Sequence, residues 1–158
     1  LDVEYALSVQ GSRTTEKPYI VCLYHPIENE APEAVLEALK AFKDYDIIGI
    51  KSNHDYGKQL YQENYAPEEF IRLLKGASCL VGNSSAGIKE APALGIPVVN
   101  IGERQANRLR PQNVKDCKCE KEDIEYAIKY QLSHKYESAK EYYQKDTSKK
   151  IAEVISLI

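Results

Sequence analysis

No apolar run in this 158-residue sequence is long enough to cross a bilayer. Runs such as Tyr19 to Tyr24 and Ile47 to Ile50 fall far short of the roughly 20 residues a spanning helix needs. No basic-then-apolar leader precedes them, so the protein is expected to be cytoplasmic, without a membrane partner. A basic excess is also missing: 21 Lys and Arg stand against 24 Asp and Glu, a net charge of −3, which argues against nucleic acid as a partner. The four cysteines, at 22, 79, 117 and 119, form no CxxC pair, and two of them lie inside apolar runs where a cysteine acts as a small hydrophobe. Neither a disulfide framework nor a zinc site is expected, and the lone C-x-C of Cys117 and Cys119 reads as two loop thiols. No HExxH or paired-histidine pattern suggests any other metal, and no repeat or low-complexity tract is present.

What is there alternates. Residues 1–17 mix Ser, Thr, Gly and charge with little periodicity and read as a linker or N-terminal arm. Residues 18–158 read as one domain, within the size a single core supports. Tyr19 to Tyr24 is continuously apolar, as a parallel strand buried on both faces would be. Pro32 opens an amphipathic helix carrying Val35, Leu36, Leu39 and Phe42. Ile47–Ile50 predicts a second strand, Pro67 to Gly76 a helix, Cys79–Val81 a third strand, 86–94 a helix ended by Gly95, and Val98–Ile101 a fourth strand. Pro92 predicts a kink in the 86–94 helix, because proline cannot donate to the carbonyl one turn back. Two closing helices follow Val114, one with Ile124, Ala127, Ile128 and Leu132 on one face, the other with Ile151, Val154, Ile155 and Ile158. The rhythm predicts an α/β fold: a Rossmann-like parallel sheet with helices on both faces, whose ligand loops open at the carboxyl ends of the strands.

Four polar loops would share that edge: His25, Lys51 to Gly57, Gly82 to Gly87, and Gly102 to Arg110. Five of the eight glycines fall between Gly76 and Gly102, which marks this part of the chain as the centre of interest. In Gly82-Asn83-Ser84-Ser85-Ala86-Gly87, a serine can cap the following helix while backbone N–H groups and hydroxyls face outward. That combination suits a phosphate, and equally a capped helix with no ligand. Glu90 is placed for a carboxylate that accepts bonds from two vicinal ribose hydroxyls, although a helical Glu is commonly just solvated. Arg104, Arg108 and Arg110 offer guanidinium forks to a diphosphate, with Arg104 nearest the strand end, or else form a solvated basic loop. His25 ends a strand before Pro26 and is a candidate for phosphate contact or proton transfer, or a hydrogen-bonded structural residue. His54 and His134 carry no assignment.

The segment VGNSSAGIKEAPALGIPVVNIGERQANRLRPQNV, together with YHP at 24–26, resembles the nucleotide-binding half of the UDP-N-acetylglucosamine 2-epimerases. The combined pattern GNSSxGxxE, GxRQxxR and NV makes the likeness specific, and it extends from about Lys17 to Val114. It implies the C-terminal half of a glycosyltransferase-B type fold holding a UDP-sugar, with UDP as substrate moiety or product and no separate cofactor. Ser84 and Ser85 then resemble diphosphate contacts, Glu90 the ribose ligand, Arg104 the guanidinium at the diphosphate and His25 the active-site histidine. Gly82, Asn83, Gly87, Gln105 and Arg108 complete the implied substrate-binding set. GxRQ is more similar to the hydrolysing branch, which implies elimination of UDP to a glycal followed by hydration with inversion at C2. The family's catalytic carboxylates belong largely to an N-terminal domain absent from this chain, and a homo-oligomer is expected of the full-length protein. Two departures stand out: the chain between Lys51 and Phe70 is short for the family, and Asn107 and Pro111 replace frequent glycines. The donor-binding half of a glycosyltransferase and a non-catalytic interaction domain are the alternative readings.

Overall fold

A computed structural model describes residues 3–50, 61–62 and 65–158 of the chain. The expected polar loop at 51–57, His54 included, lies outside the described residues, as does most of the segment judged short for the family.

Six strands form one parallel sheet: β1 Tyr19–Leu23, β2 Asp46–Ile50, β3 Tyr61–Gln62, β4 Cys79–Gly82, β5 Val98–Ile101 and β6 Val114–Cys117. Their spatial order is β3-β2-β1-β4-β5-β6, so the direction of winding reverses between β1 and β4. At such a reversal successive crossovers run to opposite faces and leave a crevice at the carboxyl ends of the two central strands. The helices are α1 Val3–Ser8, α2 Pro32–Leu39, α3 Pro67–Gly76, α4 Glu90–Ala93, α5 Lys121–Leu132 and α6 Thr147–Ser156.

Strand alternation sorts the core into two layers. Tyr19, Val21 and Leu23 of β1, Leu80 of β4 and Val98 of β5 face one side, where Ala6 of α1, Ile71 and Leu74 of α3 and Ala91 of α4 cover them. Ile20 and Cys22 of β1, Cys79 and Val81 of β4, and Val99 and Ile101 of β5 face the other, under Val35 and Leu39 of α2 and Ile124 and Ile128 of α5. Each fully buried aliphatic side chain contributes roughly 1.5–3 kcal/mol, which makes these two layers the main source of stability.

The architecture agrees with the expected Rossmann-like sheet, while four local details differ. The stretch expected to be an arm holds α1, whose Val3 and Ala6 are buried, so residues before 18 contribute to the core. Strand β6 was not foreseen, because Val114-Lys115-Asp116-Cys117 is an edge strand of half-buried and charged residues rather than an apolar run. The single helix expected over 86–94 is a 3-10 turn, Ser85–Gly87, followed by the four-residue α4. The break falls at Ile88–Lys89 and not at Pro92, since Pro92 is the third residue of α4, a position whose N–H has no intrahelical partner in any case. Finally, α6 buries no residue: Ile151, Val154 and Ile155 are all exposed.

Candidate functional site

The crevice is built on the β1–β4 pair. Leu23 and Gly82 are register partners, so the chain leaves both strands at the same level. Gly82 has φ +151°, and a β-carbon added there would lie 1.9 Å from the Leu23 carbonyl oxygen. Only glycine tolerates both the conformation and the approach. The next residue, Asn83, is fully buried and prolongs the ladder with its side chain. Its N–H donates to Leu23 O at 3.2 Å, its Oδ1 accepts from the His25 N–H at 2.7 Å, and its Nδ2 donates to the His25 carbonyl at 2.8 Å. His25 is thereby held on the β1 side of the reversal, beside the first turn that follows β4.

That turn is capped by Ser84, which is extended (φ −75°, ψ 150°) and whose Oγ accepts from Ala86 N at 3.3 Å. Gly87 N donates to Ser84 O, and the N–H groups of Ile88 and Lys89 both donate to Ser85 O. The N–H groups of Ser84 and Ser85 have no hydrogen-bond partner among the described residues. Three residues of 3-10 helix sum to little dipole, so these N–H groups and the two half-buried hydroxyls, rather than a macrodipole, are the donors available to an anion. Gly87 serves packing: a β-carbon there would sit 3.0 Å from Val98 Cγ1 of β5. Glu90 opens α4 and is only 4% exposed, a buried carboxylate one short turn beyond the donors.

The third side comes from the loop after β5. Gly102, at φ +69°, turns the chain, and the Glu30 carboxylate occupies the space a side chain would need there. Tyr24 Oη donates to that carboxylate, and burial, chiefly, with this bond pushes the Tyr24 hydroxyl well above the ordinary tyrosine range. Arg104 Nη1 donates to the Asn83 carbonyl at 3.0 Å and Gln105 Nε2 donates to the same oxygen at 2.9 Å. The Arg104 side chain keeps its other N–H donors for a ligand, whereas Gln105 is buried and its Oε1 has no hydrogen-bond partner among the described residues. Because the Asn83 oxygen is acceptor-only, the amide end of Gln105 has to face it. Asn107 takes φ +64°, a left-handed conformation asparagine tolerates, so the loop turns there without a glycine.

The three loop arginines separate in role. Arg110 grips both carboxylate oxygens of Asp116 at 3.1 and 3.0 Å, and Asp116 also accepts from Asn100 Nδ2 at 2.7 Å. Arg108 is exposed, and its carbonyl accepts from Arg110 Nη1 at 3.0 Å. Arg104 alone among the three is joined to the Ser84–Gly87 turn. Thus His25, Asn83, Ser84, Ser85, Arg104 and Gln105 are brought together, with Glu90 on the adjoining turn, while Arg108 lies at the rim. Two contributors were not anticipated: the Asn83 carbonyl as the common acceptor, and Glu30 against Gly102. The second has a faint sequence signal in a glycine directly after a strand; a main-chain oxygen has none. Among the described residues no group of His, Cys, Asp and Glu could hold a metal, and no helix is long and apolar enough to cross a membrane.

This geometry can be set beside known proteins. The sequence profile of the UDP-N-acetylglucosamine 2-epimerase family matches residues 3–156. A UDP-N-acetylglucosamine 2-epimerase of Neisseria meningitidis serogroup B is 34% identical over 161 residues, covering 87% of this chain and 43% of the relative. The GDP/UDP-N,N'-diacetylbacillosamine 2-epimerase (hydrolyzing) of Campylobacter jejuni is 31% identical over 138 residues, covering 73% of this chain and 35% of that protein. Among solved structures, S. aureus MnaA with UDP superposes with a TM-score of 0.70 at 15% identity, over 98% of this chain and 51% of that one. A glycosyltransferase of kitacinnamycin superposes with a TM-score of 0.56 at 19% identity, over 80% of this chain and 38% of that one. The chain therefore spans about a third to a half of the length of the proteins it matches, and its fold is one Rossmann-like half of the glycosyltransferase-B type. With its profile match running nearly end to end, the chain belongs to the UDP-N-acetylglucosamine 2-epimerase family.

Proposed function

We propose that this chain is the UDP-binding half of a hydrolysing UDP-N-acetylglucosamine 2-epimerase, and that the crevice between β1, β4 and β5 holds the diphosphate of a UDP-sugar. The observation that carries this reading is the shared Asn83 carbonyl: it ties Arg104 to the residue that enters the Ser84–Gly87 turn, so that a guanidinium with unspent donors stands beside a turn with two serine hydroxyls and with N–H groups unpaired among the described residues. Such a set neutralises an acceptor-only dianion and gains strength as negative charge builds on a departing diphosphate. Gly82 and Gly87 shape the turn, Ser84 and Ser85 supply the donors, and Glu90 is the acceptor for ribose hydroxyls. Arg108 and Gln105 border the site, and His25 faces the reacting end.

The reaction proposed for the full-length protein begins with loss of the C2 proton and cleavage of the C1–O bond, which releases UDP and leaves a glycal. Water then adds, its hydroxyl to C1 and a proton to C2 on the opposite face, to give a free N-acetylmannosamine-type sugar. The relative from Campylobacter jejuni, named as hydrolysing, and the GxRQ pattern at 102–105 support this branch. This chain's residues grip the leaving group; the carboxylates acting at C2 are assigned to the half of the protein outside this chain. Isothermal calorimetry of the chain with UDP tests the binding claim, and product analysis of the full-length protein, scoring free sugar against UDP-sugar, tests the branch.

A further inference from the structure

Asn83 spends every polar atom inside the fold. Its amide side chain holds both main-chain groups of His25, at 2.7 and 2.8 Å, and its carbonyl holds Arg104 and Gln105, at 3.0 and 2.9 Å. These are residues of two other segments, 58 and 21 to 22 positions away in sequence, meeting on one buried residue. We propose that Asn83 is a positioning residue that couples the histidine segment to the arginine loop, so that a diphosphate engaging Arg104 also tightens the His25 backbone.

The physical basis is that one side chain and its own peptide group share a short rigid unit. Two donors on the carbonyl fix the Asn83–Ser84 peptide plane, and with it the direction in which the side-chain amide leaves the main chain. Removing a donor loosens that plane and loosens the two bonds to His25, since groups sharing a hydrogen-bond network do not act independently. By reciprocity, an anion that holds Arg104 in place raises the occupancy of the His25 bonds. The ligand part of this inference rests on the reading of the crevice as a diphosphate site; the coupling itself does not.

Amide hydrogen exchange of the chain tests it through the His25 N–H, which bonds to Asn83 Oδ1. In ligand-free protein, Gln105→Met and Arg104→Ala should each speed exchange of that amide about tenfold, with core amides such as those of Val81 and Val99 unchanged. Arg104→Lys, which retains a donor, should keep most of the protection. Arg104 is exposed, so its variants fold even if Gln105→Met does not. Adding UDP should slow His25 exchange about tenfold in the wild type and have no such effect at equal saturation in Arg104→Ala. Unchanged His25 exchange in both ligand-free variants overturns the coupling, whether or not UDP binds. Absence of UDP binding alongside the ligand-free effect overturns the diphosphate reading and leaves the coupling standing.

Discussion

The side-chain amide of Asn83 replaces a strand neighbour for His25: it accepts the histidine N–H and donates to the histidine carbonyl, carrying the β1–β4 ladder past the last paired residues, Leu23 and Gly82. The site is thus an extension of the sheet rather than a set of loops laid over it, and its geometry inherits the rigidity of two central, fully buried strands.

Gly82 is where that extension is most vulnerable. Gly82→Ala forces a β-carbon onto the Leu23 carbonyl at a φ of +151°. The expected loss is about 2–4 kcal/mol of unfolding free energy, by strain and by separation of β1 from β4. Gly87→Ala meets Val98 Cγ1 at 3.0 Å and Leu80 Cδ2 at an ordinary 3.8 Å, both side-chain ends, and should cost about 1 kcal/mol. Urea denaturation of the two variants checks the order.

Gln105 is expected to matter locally rather than globally. Gln105→Met deletes one bond to an oxygen that keeps Arg104 and also removes a buried acceptor without a partner among the described residues. The two effects offset, so global stability should change by less than about 1 kcal/mol, measured by the same denaturation.

The arginines should divide by their partners. Arg104→Ala is expected to weaken UDP binding at least about tenfold, as removal of a charged partner to phosphate does. Arg110→Ala, whose guanidinium is occupied by Asp116, should weaken it less than about twofold. Calorimetric titration of both variants separates them.

Two thiols, buried Cys22 and half-buried Cys117, predict alkaline lability. Burial pushes the Cys22 and Cys117 thiols from an ordinary value near 9.0 up to about 12. A raised folded pKa means the folded state holds the proton longer, so this stability is fully present below pH 9 and is lost as pH rises from about 9 towards about 12. Urea midpoints should be level from pH 7 to 8.5 and fall steadily above pH 9. Cys22→Ala should show a shallower fall over the same range.

Much of this fold is legible from apolar runs alone. Tyr19–Leu23, Cys79–Gly82 and Val98–Ile101 are buried along their whole length, so their sequences are apolar but for Asn100, and their parallel pairing follows. Strand β6 is not legible, because an edge position leaves Lys115 and Asp116 partly in solvent. Pro92 identifies a constraint on the helix and misplaces its effect, since the same missing N–H fits a kink within a long helix or the first turn of a short one. At the site, the glycines, serines and Arg104 are recognisable from residue type and spacing. Asn83 is not, for an amide in a Gly-Asn-Ser-Ser run reads as a ligand contact, and its commitment to His25 depends on a partner 58 residues away.

The central claim is that Arg104 and the Ser84–Gly87 turn hold the diphosphate of UDP, and its most direct test is calorimetric titration of this chain with UDP beside uridine. The account predicts saturable one-to-one binding of UDP, binding of uridine at least about a hundredfold weaker, and loss of most of that difference in Arg104→Ala. Equal affinity for UDP and uridine, or a UDP affinity untouched by Arg104→Ala, would contradict it.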